Sequence, residues 1–106
     1  MTEKPNLKYI KEISGGDLIF EEKMLEIVKN ELPEEIKSYE TFLKEQNFKQ
    51  AAEIVHKIKH KISTLGLEKS YQVAIDYEEE LKKKITKSKT QFDTILKVMV
   101  NFINQY

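Results

Sequence analysis

Apolar residues recur at spacings of three and four along most of this chain, which is the pattern of amphipathic helices. The pattern is clearest at about residues 48–64, where it stops before Gly66, a residue type that commonly follows a helix in the left-handed conformation. It repeats at about residues 67–84 and again in a segment that begins at Ser88. No segment alternates apolar and polar residues as a half-buried strand does. The pattern therefore predicts an all-α protein.

The first half of the chain predicts a short leading helix and then a longer helical region. Residues 6–13 have helical spacing, and the Ser-Gly-Gly sequence at 14–16 stops that helix. Asp17 is expected to cap the next helix, because its carboxylate can accept bonds from otherwise unpaired backbone N–H groups. The apolar spacing continues past Pro33 to about residue 46, so Pro33 either kinks this helix or opens another one. Before the proline, the apolar stripe consists of Phe20, Met24, Ile27 and Val28.

The number of long segments and the short turns between them indicate the architecture. Amphipathic helices joined in this way predict an antiparallel up-and-down four-helix bundle, here with a short leading helix. We expect one domain over residues 1–106, with about 1–16 as the leading segment and about 17–106 as the bundle. Ser88 and Gln91 have the spacing of a capping box at the start of the last helix.

Composition narrows the class of protein. The 18 Lys and Arg residues balance 18 Asp and Glu residues, so there is no electrostatic reason to expect nucleic acid as a partner. The lysines at 82–84 are interpreted as a solvated helix end, where positive charge is favourable. The chain has no cysteine, which excludes disulfides and thiolate metal sites. No apolar run is long enough to span a membrane. We expect a cytoplasmic monomer without a cofactor.

Candidate chemistry centres on the two histidines, His56 and His60, which lie four residues apart. A helical rotation of 100° per residue places His56 roughly 120–140° from the core stripe, so its ring is expected to face outward or toward a groove. Ala52, Lys59 and Ser63 share its ridge of the helix. Small residues beside an exposed imidazole leave room for a bulky partner, although an ordinary solvated face would tolerate the same residues.

Glu78 is the second unusual position, because it falls within the apolar stripe of the helix at 67–84. A carboxylate on a core face is costly unless a hydrogen-bond donor meets it. The ring N–H of His56, on the neighbouring helix, could be that donor and would then fix the histidine tautomer. Alternatively, Glu78 tilts toward solvent with Glu79 and Glu80 as part of a charged run. The spacing leaves both interpretations open.

These residues resemble the signature of histidine-containing phosphotransfer (Hpt) domains. The run AAEIVHKIK at 51–59 matches an alanine-rich approach followed by His-x-hydrophobic-Lys. Gly66 lies seven positions after that lysine and directly follows a hydrophobic residue, Leu65. A hydrophobic residue followed by Glu at 77–78 also fits the family pattern, and the resemblance covers most of the chain. The family usually has glycine directly after the motif lysine, where this chain has His60.

The resemblance implies a phosphorelay intermediate of two-component signalling, a phosphocarrier rather than an enzyme. His56 would accept a phosphoryl group from the aspartate of a response-regulator receiver domain and donate it to another. Lys59 would contact the phosphoryl oxygens, and Glu78 would orient the ring. Ala52, His60 and Ser63 would belong to the docking ridge. The implied partners are receiver domains, which would supply the magnesium and the acceptor aspartate, and/or a hybrid sensor histidine kinase.

Two other functions compete with this interpretation. His56 and His60 could share a metal ion across one helical turn, but the nearby lysines repel cations and no third ligand is specified, so we expect no metal. A helical module that only docks receiver domains, without phosphorylation, would present much the same surface. The presence of a histidine at position 56 argues against that alternative.

Overall fold

The computed structural model describes residues 3–106 and shows five α-helices, with no strand in that part of the chain. The all-helical prediction is confirmed, whereas the first two residues of the predicted domain lie outside the described range. The helices are α1 (Lys8–Ser14), α2 (Leu18–Lys44), α3 (Phe48–Thr64), α4 (Glu68–Lys82) and α5 (Lys89–Ile103).

Pro33 lies inside α2, which continues unbroken on both sides of it. The alternative in which Pro33 opens a separate helix is therefore wrong. Proline removes one backbone N–H from the helical ladder, but Pro33 is exposed while its neighbour Leu32 is fully buried. Packing of the buried face outweighs the lost bond, because tertiary contacts supply most helix stability in proteins.

The predicted N-terminal cap of α2 and the predicted left-handed glycine are both present. The Asp17 carboxylate accepts backbone N–H bonds at 3.0 and 3.1 Å in the first turn of α2. Gly66 follows α3 with φ of +75°, and a Cβ atom there would lie 2.7 Å from the Asn6 side chain. Asn6 also donates its backbone N–H to the carbonyl of Leu65 at 2.9 Å. The tight approach of the N-terminal segment therefore requires glycine at this turn.

The predicted capping box at the start of α5 is wrong. The Ser88 side chain does not cap α5. Instead, its backbone N–H and its hydroxyl donate to the two carboxylate oxygens of Glu80, at 2.8 and 2.6 Å. An ionised carboxylate is a stronger acceptor than a neutral partner, so Glu80 takes both donors. The bond ties the α4–α5 turn back onto α4.

The N-terminal segment also fixes the start of α4. The residue before α4, Leu67, offers no side-chain cap, and the Glu3 carboxylate fills this role by accepting the backbone N–H groups of Lys69 and Ser70 at 2.7 Å each. Burial raises the pKa of Glu3, but these backbone bonds outweigh it and hold that pKa below its usual value. Negative charge at a helix N-terminus is favourable.

The four long helices enclose one core. α3 packs against α2 and α4, α5 packs against α4 and α2, and α1 packs against α2. Inside the core, the Tyr39 hydroxyl lies 2.7 Å from the Tyr77 hydroxyl and donates to Asp93 Oδ1 at 3.0 Å. Burial raises the pKa of Tyr39, and it raises the pKa of Tyr77 to about 12, so both rings stay neutral. This cluster joins α2, α4 and α5.

The apolar stripe at the start of α2 is only partly buried. Val28 is buried, but Phe20 and Ile27 are 43% and 52% exposed. Lys61, near the end of α3, pairs with Glu31 of α2 at 2.8 Å. The first turns of α2 are therefore less completely covered than the part of α2 that contacts α3.

Candidate functional site

His56 lies on the outer face of α3, where its side chain is 52% exposed. Val55 and Ile58, which face the core from the same helix, are fully buried. These apolar residues fix the rotation of α3 against the core, and the rotation in turn presents the imidazole at the surface.

Glu78 faces His56 from α4. Its side chain is 11% exposed, and both of its carboxylate oxygens lie 3.2 Å from His56 Nδ1. Of the two interpretations left open by the sequence, the structure shows the buried carboxylate, not the solvent-facing one. An ionised carboxylate only accepts hydrogen bonds, which assigns the ring proton to Nδ1 and leaves the lone pair on Nε2.

Lys59 lies one turn after His56 on α3 and donates to Glu78 Oε1 at 3.0 Å. Its side chain is 13% exposed, and its ammonium lies 5.9 Å from the centre of the Tyr71 ring. Burial raises the pKa of Glu78, but the hydrogen bonds from Lys59 and His56 outweigh it and hold that pKa below its usual value. The carboxylate is therefore ionised at neutral pH.

A second lysine, Lys82, approaches the same carboxylate from one turn farther along α4. Its ammonium lies 3.6 Å from Glu78 Oε2 and 3.2 Å from Glu79 Oε1. The sequence interpretation placed Lys82 only in a solvated basic cluster and missed this contact. The i, i+4 spacing from Glu78 was the signal that could have identified it.

The residues expected on the docking ridge fall into two neighbouring areas. Ala52 is buried but lines an open groove together with His56 and Lys82. His60 is exposed, and its ring lies edge-on to that of His56, with centroids 5.0 Å apart. Ser63 is exposed and lines a separate cavity. The structure thus brings Ala52 and His60 to the histidine and places Ser63 beyond them.

The described residues contain neither a metal cluster nor a membrane span. Among residues 3–106, no group of three or more histidine or carboxylate side chains converges as metal ligands would. None of the helices in this range is both long enough and apolar enough to cross a bilayer.

The arrangement can support nucleophilic chemistry at a ring nitrogen. A neutral imidazole is a nucleophile near neutral pH. Attack through Nε2 makes the ring positive, and Glu78 would stabilise that charge through the Nδ1 hydrogen bond. The ring is half exposed, so a partner can reach it.

The family comparison agrees with this geometry. The family model described as Hpt domain matches residues 23–102, a range that begins in α2, ends in α5 and contains His56, Lys59 and Glu78. No curated protein and no solved structure matched the chain. Because the family model covers most of its length, this chain belongs to the Hpt domain family.

Proposed function

We propose that this protein is a phosphorelay intermediate that carries a phosphoryl group on His56. Membership of the Hpt family implies a phosphotransfer role in two-component signalling, as a phosphocarrier module that interacts with receiver domains and kinases. The observation that supports His56 most strongly is its half-exposed ring, with Nδ1 held 3.2 Å from both oxygens of Glu78.

The proposed step is a direct displacement at phosphorus. The Nε2 lone pair attacks the aspartyl phosphate of a receiver domain, the N–P bond forms, and the P–O bond to the aspartate breaks. The aspartate carboxylate leaves with the electron pair, while Nδ1 keeps its proton and the ring becomes positive. Positioning and electrostatic stabilisation supply most of the catalysis in such transfers. The receiver supplies the magnesium ion.

Lys59 has the proposed role of contacting the phosphoryl oxygens. In the structure its ammonium is bonded to Glu78 Oε1, so this role requires a side-chain rotation toward Nε2 of His56. Lys59 and His56 share the Glu78 carboxylate, which keeps the ammonium near the histidine ring. An ammonium there would neutralise charge on the phosphoryl group.

The scaffold and its docking face are part of the same proposal. We place the four long helices in an antiparallel up-and-down bundle that forms a single domain, which the contacts of Lys61 with Glu31 and of Tyr39 with Asp93 support. Ala52, His60 and Ser63 form the receiver-facing ridge, with His60 in the usual glycine position. Monomeric state and cytoplasmic location stay predictions.

A module that only docks receiver domains is not favoured. Such a module would need neither a nucleophilic ring nitrogen nor the carboxylate that orients it. Here Glu78 is nearly buried, and its carboxylate accepts hydrogen bonds from His56 and Lys59. A costly buried carboxylate is better explained by a reacting histidine than by docking alone.

Phosphate labelling tests the proposal. The protein is incubated with a panel of receiver domains that carry ³²P-labelled aspartyl phosphate, and we expect label that is stable to base and labile to acid. A His56→Gln variant should stay folded by circular dichroism and remain unlabelled. Label retained in this variant, or acid-stable label in the parent, would contradict the proposal.

A further inference from the structure

Glu78 has cations on both of its oxygens, and they differ in how tightly they are held. Oε1 accepts from Lys59 at 3.0 Å, and Oε2 lies 3.6 Å from the Lys82 ammonium. Lys59 is 13% exposed, whereas Lys82 is 53% exposed. The carboxylate is therefore shared by an enclosed lysine of α3 and an open lysine of α4.

The proposed phosphoryl contact draws the Lys59 ammonium away from its bond with Glu78 Oε1. If Lys59 turns toward the phosphoryl group, Glu78 loses the cation on Oε1. Without a replacement partner, the Glu78 carboxylate would lose one of the contacts that hold it against Nδ1 of His56.

Lys82 is placed to be that replacement. It lies one turn after Glu78 on the same helix and lines the same groove as His56. Its other partner is Glu79 at 3.2 Å, and that pair is exposed on both sides, 53% for Lys82 and 61% for Glu79. Exposed ion pairs of this kind contribute little, so Lys82 can leave Glu79 for Glu78 at small cost.

We propose that Lys82 is a positioning residue for phosphoryl transfer, which holds the Glu78 carboxylate against His56 while Lys59 contacts the phosphoryl group. This inference rests on the proposed function. It adds a residue outside the His-x-hydrophobic-Lys motif, acting through Glu78 rather than on the phosphoryl group itself.

The test compares transfer rates from one phosphorylated receiver. Lys82→Ala is matched with Lys83→Ala, which removes an adjacent exposed lysine that does not line the groove. We expect Lys82→Ala to slow transfer by about two- to fivefold, the size of a partly exposed ion pair. Lys83→Ala should match the parent. Lys82→Arg should restore most of the rate, because the charge is kept on a side chain of similar length.

A double variant separates the proposed exchange from a simple loss of charge. With Lys59→Ala and Lys82→Ala together, Glu78 loses both cations, so we expect the combined slowing to exceed the product of the two single effects. The inference is overturned if the effects multiply, if Lys82→Ala equals Lys83→Ala, or if Lys82→Arg is as slow as Lys82→Ala. Failure of the parent protein to take label at His56 would instead overturn the proposed function.

Discussion

Tyr77 and Glu78 are consecutive residues of α4, yet they belong to opposite kinds of polar cluster. Tyr77 is fully buried, and its hydroxyl meets the Tyr39 hydroxyl at 2.7 Å in the core. Glu78 lies at the edge of a groove, where its carboxylate meets the half-exposed His56. One cluster is closed and joins three helices, whereas the other is open to a partner.

The difference shows that neighbouring residues of α4 can serve different purposes, one in the stability of the core and the other in the chemistry at the groove. In the core, burial raises the pKa values of Tyr39 and Tyr77, so both hydroxyls stay neutral. At the groove, hydrogen bonds outweigh burial and keep the pKa of Glu78 low, so the cluster keeps its charge. Hydrogen-bonded neutral hydroxyls in the core contribute to folding, while a charged cluster beside an exposed nucleophile can stabilise a developing charge.

The largest expected effect is on stability, and it is measured by replacing Tyr77 and Glu78 separately with alanine. Tyr77→Ala should lower the free energy of unfolding by about 3–5 kcal/mol, because it leaves a cavity among packed aromatic rings. Glu78→Ala should lower it less, by about 1–3 kcal/mol, because the enclosed Lys59 ammonium is left without its carboxylate partner. Urea denaturation measures both. An equal or larger loss for Glu78→Ala would show that the groove cluster is structural.

The next effect concerns activity alone. Glu78→Gln keeps an oxygen that can accept the Nδ1 proton but removes the charge that stabilises the positive ring. We expect phosphoryl transfer to slow roughly 10-fold, since hydrogen bonds to charged groups contribute about 1.5 kcal/mol or more. Rapid-quench measurement with a phosphorylated receiver gives the rate. An unchanged rate would show that the charge of Glu78 has no role in phosphoryl transfer.

A smaller effect is expected in the core cluster, where a substitution should lower stability but leave the rate of phosphoryl transfer nearly unchanged. Tyr39→Phe removes the hydroxyl that bonds both Tyr77 and Asp93, and we expect a loss of about 1 kcal/mol in unfolding free energy. Transfer should stay within about twofold of the parent, because Tyr39 is buried and its hydroxyl bonds Tyr77 and Asp93 rather than the groove cluster. Slow transfer in a folded Tyr39→Phe protein would show that the core cluster also affects phosphoryl transfer.

The smallest effect is a pH dependence of stability. The pKa of Glu78 is lowered in the folded protein, so its ionised form contributes stability above its unfolded pKa of about 4.5 and loses it as the pH falls through the folded value. Glu78→Gln should therefore lose less stability than the parent between about pH 6 and pH 3. Parallel urea denaturation series compare the two slopes, and identical slopes would contradict the pKa direction.

Much of this fold follows from apolar spacing and helix-ending residues. The boundaries of α3 and the Asp17 cap agree with the prediction, because a helix of regular spacing ends where its stripe and its capping chemistry end. The Ser88 cap failed because Glu80, eight residues earlier, captures both donors of the serine. Local spacing contains no information about that tertiary contact.

The site was partly predictable for the same reason. Helical rotation predicted an outward His56, and the cost of a carboxylate in an apolar stripe drew attention to Glu78. The enclosure of Lys59 against Tyr71 and the approach of Lys82 depend on how α3 and α4 pack, so the sequence alone could not determine which lysine is held more tightly.

The position of the phosphorus on the imidazole ring tests the central claim most directly. Long-range ¹H–¹⁵N correlation spectra of the phosphorylated protein distinguish the two ring nitrogens of His56. We predict phosphorus on Nε2, with the proton retained on Nδ1 against Glu78. Phosphorus on Nδ1, or on another residue, would contradict the account.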